Sequence, residues 1–166
     1  TESDCEVIIY LYKELGNAFI KMLDGIFSFV LYDCESDRVI VGRDPIGIIP
    51  LYHGLTSNED EISDVPAYFV ASELKVIQDE CDNIDVFPPG CIKEINLGES
   101  VDLSVVEKYY NPSYNRNFDE FDFDHEYSEK QLFAIKNNIR SKLTDAVRKR
   151  LMADVPYGVL LSGGLD

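Results

Sequence analysis

Asp24-Gly25-Ile26-Phe27-Ser28-Phe29-Val30-Leu31-Tyr32, then Asp33-Cys34-Glu35-Ser36-Asp37 and Arg38-Val39-Ile40-Val41, is the stretch that decides the fold. The turn pair Asp24-Gly25 opens a run over 26–32 that is apolar at almost every position and rich in aromatic and β-branched residues. That is the composition of a strand covered on both faces. The polar connection 33–37 leads into a second β-branched run, so the two strands are predicted to form an antiparallel hairpin. Further strands are predicted at 51–54, 68–71 and 91–95, separated by turn-rich segments that include Phe87-Pro88-Pro89-Gly90. Upstream, Ser3 and Glu6 have the spacing of a capping box, and Ile8, Leu11, Tyr12 and Leu15 recur at helical spacing up to Gly16-Asn17. The first part of the chain therefore reads as α+β, an antiparallel sheet with a helix beside it.

From about 105 to 127 the chain turns aromatic, acidic and Asn/Pro-containing without a clear period, which places a linker at 111–127 between domains at 1–110 and 128–166. Ser128 and Gln131 form a second capping box. Leu132, Ile135, Ile139, Leu143, Val147 and Leu151 then mark one face of a long helix whose other positions are rich in Lys and Arg. Asp154-Val155-Pro156-Tyr157-Gly158 ends it and feeds an apolar strand at 157–161 and a small-residue loop, Ser162-Gly163-Gly164-Leu165-Asp166. A strand, a glycine loop and a following helix are how a Rossmann-like α/β nucleotide domain opens. The helix is not in the chain, and residue 1 is not Met, so both ends are expected to be cuts within a larger enzyme.

Composition narrows the function classes. With 45% apolar and 28% charged residues the chain is an ordinary globular sequence. Its longest apolar runs, 25–32 and 155–161, are far short of the roughly 20 residues a bilayer crossing needs. Net charge is −16, from 31 acidic and 15 basic residues, which disfavours nucleic acid and anionic membranes as partners. The acidic stretches 58–64 and 119–126 read as solvated loops or linker. Cysteines 5, 34, 81 and 91 have no CxxC spacing and no secretory leader accompanies them, which predicts reduced, mostly packed thiols in a cytoplasmic protein. His53 and His125 are the only histidines and read as structural and solvated. Any metal is expected to arrive with a nucleotide.

Two motifs carry chemistry. In the loop 162–166 the glycines let backbone N–H groups approach a pyrophosphate, and Asp166 is expected to hold a metal bridging the phosphates, or the ribose edge; no Walker lysine is present. In Gly42-Arg43-Asp44-Pro45-Ile46-Gly47-Ile48-Ile49-Pro50-Leu51-Tyr52, Pro45 presets a turn, Gly47 is free to take positive φ, and Arg43 and Asp44 pair or bond turn backbone groups. Taken singly, these residues read as a braced structural turn.

Together, the segments 24–30 and 43–52, Ala71-Ser72-Glu73-Leu74-Lys75, Phe87-Pro88-Pro89-Gly90 and residues 155–166 resemble glutamine-hydrolysing asparagine synthetase over nearly the whole chain. The resemblance implies a class II glutaminase domain of the N-terminal-nucleophile hydrolase kind, an αββα sandwich, followed by the beginning of a Rossmann-like ATP-pyrophosphatase domain. It implies that glutamine, aspartate and ATP are substrates and that magnesium is required. Ammonia from glutamine would pass through a tunnel to β-aspartyl-AMP, giving asparagine, AMP and pyrophosphate. It leaves room for a homodimer of the full-length enzyme.

Carried over residue by residue, the resemblance makes Asp4 the acceptor of the glutamine α-ammonium, beside its plain reading as a first-turn helix carboxylate. Leu161, by its backbone, and Ser162, Gly163, Gly164 and Asp166 become ATP-binding residues, with Asp166 also on the metal. No residue of the chain matches the family nucleophile, an N-terminal cysteine that would lie upstream of Thr1. Cys5 is expected in a helix with a peptide-bonded nitrogen, and Thr1 is read as a cut end rather than a nucleophile. The chain by itself is therefore expected to be inactive, with apolar faces exposed and a tendency to associate. Two other readings stay open: a β-lactam synthetase-like ligase that uses an internal amine, and a truncated, non-catalytic binding fragment.

Overall fold

The computed structural model describes residues 3–56, 66–112 and 125–164. The chain divides into two compact units, Thr1–Arg116 and Asn117–Asp166. The predicted roles of Thr1 and Asp166, the acidic stretch 58–64 and most of the predicted linker lie outside the described residues.

In the first unit, α1 (Glu6–Leu15) runs into a 3-10 helix, Gly16–Met22. Strands β1 (Ser28–Asp33), β2 (Arg38–Arg43), β6 (Cys91–Asn96) and β7 (Glu107–Lys108) form one sheet, in that order. β4 (Tyr68–Ala71), β3 (Tyr52–Leu55) and β5 (Asn83–Val86) form a second sheet, and every pairing is antiparallel. The predicted hairpin is present, with Val30 opposite Val41 and Asp33 opposite Arg38. β5 and β7 were not legible as strands; β5 reads Asn-Ile-Asp-Val and β7 is two residues long, so neither offers a β-rich run.

Alternation along the strands sorts the core into two layers. Val41, Cys91 and Ile95 from the first sheet meet Leu51 and Phe87, with Tyr68 and Val70 from the second, so the sheets pack face to face through this cluster. On the opposite face, Ile40 and Ile92 meet Ile20, with Tyr12, Leu23 and Phe29 against them, which seats the helical layer on the first sheet. Gly42 makes that approach close: a Cβ there would lie 2.5 Å from the Phe29 ring and 2.9 Å from Ile20.

Three local expectations fail. β1 is not covered on both faces: Val30 and Tyr32 are each 55% exposed, and among the described residues β1 pairs with β2 alone, at the edge of its sheet. Ser3 does not form the capping box; Cys5 is the N-cap of α1 in a helical conformation with no side-chain bond, and Ser3 Oγ accepts from the Cys5 N–H at 3.3 Å. The thiols are free as expected, but Cys5 and Cys34 are exposed; only Cys91 is buried.

In the second unit, α2 (Glu129–Arg150) starts on the predicted capping box, with Ser128 and Gln131 bonding each other's backbone. No residue of α2 is buried, so its apolar stripe is open, Ile139 at 53% and Leu143 at 61%. The strand predicted at 157–161 does not form. A strand is completed by hydrogen bonds to a neighbour, and none of the described residues pairs with this segment. The Rossmann-like opening is accordingly not seen. Among the described residues no helix is long and apolar enough to cross a membrane.

Candidate functional site

Asp4 lies exposed in the turn before α1, with the Cys5 thiol 3.7 Å from its Oδ1 and the Glu6 N–H donating to Ser3 O at 3.1 Å. Cys5, expected inside the helix, stands at its N-cap instead, where its N–H donates to Ser3 Oγ. Tyr12 lays its ring against the outer cluster, edge-on to Phe19 at 5.9 Å, and donates its hydroxyl to Asp33 Oδ2 at 2.9 Å. Bonds from the Ser36 hydroxyl and then from Tyr12 hold the Asp33 carboxyl down at about 2, so it stays ionised as their acceptor.

The motif at 43–52 is a loop locked from inside. Arg43 is 6% exposed and donates to three backbone carbonyls: Ile49 at 2.8 Å, Phe87 at 2.6 Å and Gly47 at 2.9 Å. Asp44, 1% exposed, accepts N–H groups from Ile46 at 3.0 Å, Gly47 at 2.7 Å and Ile48 at 3.2 Å. Gly47 takes φ +70, where a Cβ would also meet Pro89 at 2.9 Å. Gly90, at φ +64, donates to Asp44 O, and the Tyr109 hydroxyl donates to Arg43 O at 2.8 Å. Burial raises the Tyr109 phenol above its ordinary range and keeps it a donor. Each charged group is consumed by backbone, so the structural reading of this motif holds.

His53 on β3 is buried, with Nδ1 3.0 Å from the Tyr68 hydroxyl and its ring edge-on to Phe87. Burial first, and the Lys93 ammonium second, push its pKa down, while Asp85 pulls it up. Lys93, also buried, donates to Asp102 O at 2.6 Å and Val105 O at 2.5 Å, which ties the 102–105 loop to β6. His125 is exposed beside Tyr127.

In the second unit, Leu161, Ser162, Gly163 and Gly164 are exposed. Gly163 takes φ +76 with nothing within 4 Å of a Cβ, and the Gly164 N–H turns back to Ser162 Oγ at 3.2 Å. This is an open turn of small residues that a polyanion could approach closely. Asp166, the residue assigned to magnesium, is outside the described residues, and among those described no cluster of acidic, His or Cys side chains could hold a metal. Asp4 belongs to one unit and 161–164 to the other.

Residues 1–107, well over half of the chain, match the family described as glutamine amidotransferase domain. The chain belongs to the glutamine amidotransferase family. Residues 138–166 of this amidotransferase match a second family, asparagine synthase. Over its whole length the chain is 47% identical to the probable asparagine synthetase (glutamine-hydrolyzing) of Schizosaccharomyces pombe, of which it covers 26%. It is 44% identical to asparagine synthetase B (glutamine-hydrolyzing) of Escherichia coli K12, again over 26% of that protein, and 40% identical to the Asparagus officinalis asparagine synthetase (glutamine-hydrolyzing) over 24%. The chain thus spans about a quarter of the length of the curated relatives it matches.

What sequence reasoning missed is the polar lattice beneath α1: Tyr12, Asn17, Asp33, Arg38 and Glu94 meet across 82 residues of chain. Only the strand register brings Arg38 and Glu94 to one face, and no local pattern encodes that register.

Proposed function

We propose that this chain is part of an ATP-dependent ligase that hydrolyses glutamine and uses the released ammonia to convert aspartate to asparagine. The observation that carries the reading is the succession, in one chain, of a glutamine amidotransferase match over 1–107 and an asparagine synthase match over 138–166. Unit 1 then belongs to an αββα glutaminase of the N-terminal-nucleophile kind, and residues 128–166 open a Rossmann-like ATP-pyrophosphatase domain. Asp4 receives the glutamine α-ammonium, which an exposed carboxylate at a helix start suits. Leu161, Ser162, Gly163, Gly164 and Asp166 hold ATP, for which the open turn at 162–164 is suited.

The half-reactions balance as follows. Water and the glutamine amide give glutamate and ammonia. The aspartate β-carboxylate attacks the α-phosphorus of ATP and expels pyrophosphate; ammonia then attacks the acyl carbon of β-aspartyl-AMP and expels AMP. Magnesium bound with ATP would neutralise phosphate charge.

The test uses the full-length protein with aspartate, glutamine and ATP. Pyrophosphate formation that requires aspartate, with asparagine and AMP in equal amounts, is expected. ATP cleavage that ignores aspartate, or cleavage to ADP and phosphate, would overturn the reading.

A further inference from the structure

The outer face of the first sheet carries, beside its apolar cluster, a line of polar side chains with no part in the chemistry above. Asp33, Arg38 and Glu94 share that face on β1, β2 and β6. Arg38 sits between the two carboxylates: Nη1 donates to Glu94 Oε1 at 2.7 Å, and Nη2 lies 3.8 Å from Asp33 Oδ2. Its Nε donates to Ser36 Oγ at 2.7 Å, and that hydroxyl donates to Asp33 Oδ2 at 2.5 Å. Each carboxylate in turn holds one group of the helical layer. Asp33 accepts the Tyr12 hydroxyl from α1, and the other oxygen of Glu94 accepts the side-chain amide of Asn17 from the 3-10 helix. Because α1 has no buried residue, apolar packing sets its angle on the sheet only loosely. Directional hydrogen bonds at Tyr12 and Asn17 set it more narrowly.

We propose that Arg38 is a positioning residue for glutamine recognition. By aiming Glu94 at Asn17 directly, and Asp33 at Tyr12 through the Ser36 hydroxyl, it sets the angle of α1, and with it the place of Asp4; this rests on the reading of Asp4 as the acceptor of the glutamine α-ammonium. Leverage makes the link effective. Asp4 lies eight residues, about 12 Å, from the seat at Tyr12, so a tilt of about 5° moves it by about 1 Å. A misplacement of that size costs up to about a hundredfold in a positioned reaction. The ion pairs themselves are partly exposed and contribute little to global stability, so removing Arg38 leaves the fold standing.

The experiment is steady-state kinetics on the full-length protein, with glutamine or free ammonia as nitrogen source. Arg38→Ala is expected to raise KM for glutamine about five- to tenfold while kcat and ammonia-dependent synthesis stay within about twofold. Arg38→Lys, whose single ammonium serves one carboxylate at a time, recovers about half of the effect on a logarithmic scale. Tyr12→Phe, which removes one hydroxyl, shifts KM in the same direction. Asp4→Asn raises KM on its own, and adding Arg38→Ala to it raises KM no further, because both act through one carboxylate. An unchanged glutamine KM in Arg38→Ala, or KM effects that multiply with those of Asp4→Asn, would overturn the proposal. Should Arg38→Ala lose both nitrogen sources equally, Tyr12→Phe decides: an unchanged KM there overturns it. An unchanged KM in Asp4→Asn alone would overturn the reading of Asp4 instead.

Discussion

The two units of this chain handle their apolar residues in opposite ways. Unit 1 buries Phe19, Ile20, Ile40, Val41 and Phe87 at 1% exposure or less, on two faces of one sheet. Among the described residues of unit 2 none is buried, although α2 is regular from Glu129 to Arg150. The difference separates two sources of structure. A helix satisfies its own backbone, and a capping box and 22 residues, thirteen of them good helix formers, suffice to write it. A strand does not, and residues 157–161, although Val- and Leu-rich, remain without one. Burial in unit 1 is therefore cooperative, whereas the order in unit 2 is local.

The largest effects are expected from a pair of side-chain truncations read by chemical denaturation. Phe87→Ala is expected to cost about 3–5 kcal/mol, because the ring is fully buried between the sheets and leaves a cavity. Leu143→Ala on the open stripe of α2 is expected to stay within about 0.5 kcal/mol. Equal losses would show that α2 is packed as tightly as the core.

Next in size is Arg43→Met. It keeps the bulk of the side chain and strips three backbone carbonyls of their donor, at an expected cost of about 3 kcal/mol. A loss below about 1 kcal/mol would mean that water replaces the guanidinium and that the loop is not locked from inside.

His53 makes the stability of unit 1 depend on pH. Its folded pKa is depressed, chiefly by burial and then by Lys93, so the unfolded chain binds the proton more readily. The stability held by the neutral ring is therefore full above about pH 6.5 and is lost as pH falls towards the folded value. His53→Gln is expected to flatten denaturation midpoints of unit 1 between about pH 7 and pH 5 while leaving α2 unaffected. An unaltered pH slope in this variant would contradict it.

The smallest effect is Ser128→Ala, expected to lower the stability of α2 by about 1 kcal/mol, with Ser128→Gly costing only a few tenths. Hydrogen exchange over 129–150 reads it directly; unaltered protection would mean that contacts beyond the capping box hold the helix.

Against that contrast, the legible parts of the fold were those written in short windows. The hairpin 26–41, the strand at 68–71 and the capping box at Ser128 follow from composition and spacing. Ser3 failed as a cap because its hydroxyl serves the Cys5 N–H while the helix begins one residue beyond Cys5, a competition between turn and cap that spacing alone does not resolve. β1 was over-read as doubly covered because edge and centre strands share a composition, and only the sheet order tells them apart. For the candidate site, the Gly-Gly turn and the braced loop at 43–52 could be named from residues. The lattice of Arg38, Asp33 and Glu94 could not, since it depends on strand register between segments some sixty residues apart.

An amidotransferase half and an adenylating half that act in one protein to make asparagine must pass nitrogen from glutamine to aspartate. Incubation of the full-length protein with glutamine labelled with nitrogen-15 in its side-chain amide, together with aspartate and ATP, tests it most directly. Nitrogen-15 is expected in the side chain of asparagine, with one AMP per labelled product. Labelled ammonia released to solution with no labelled asparagine, or a product in which the label is absent and ATP is spent on another acid, would contradict it.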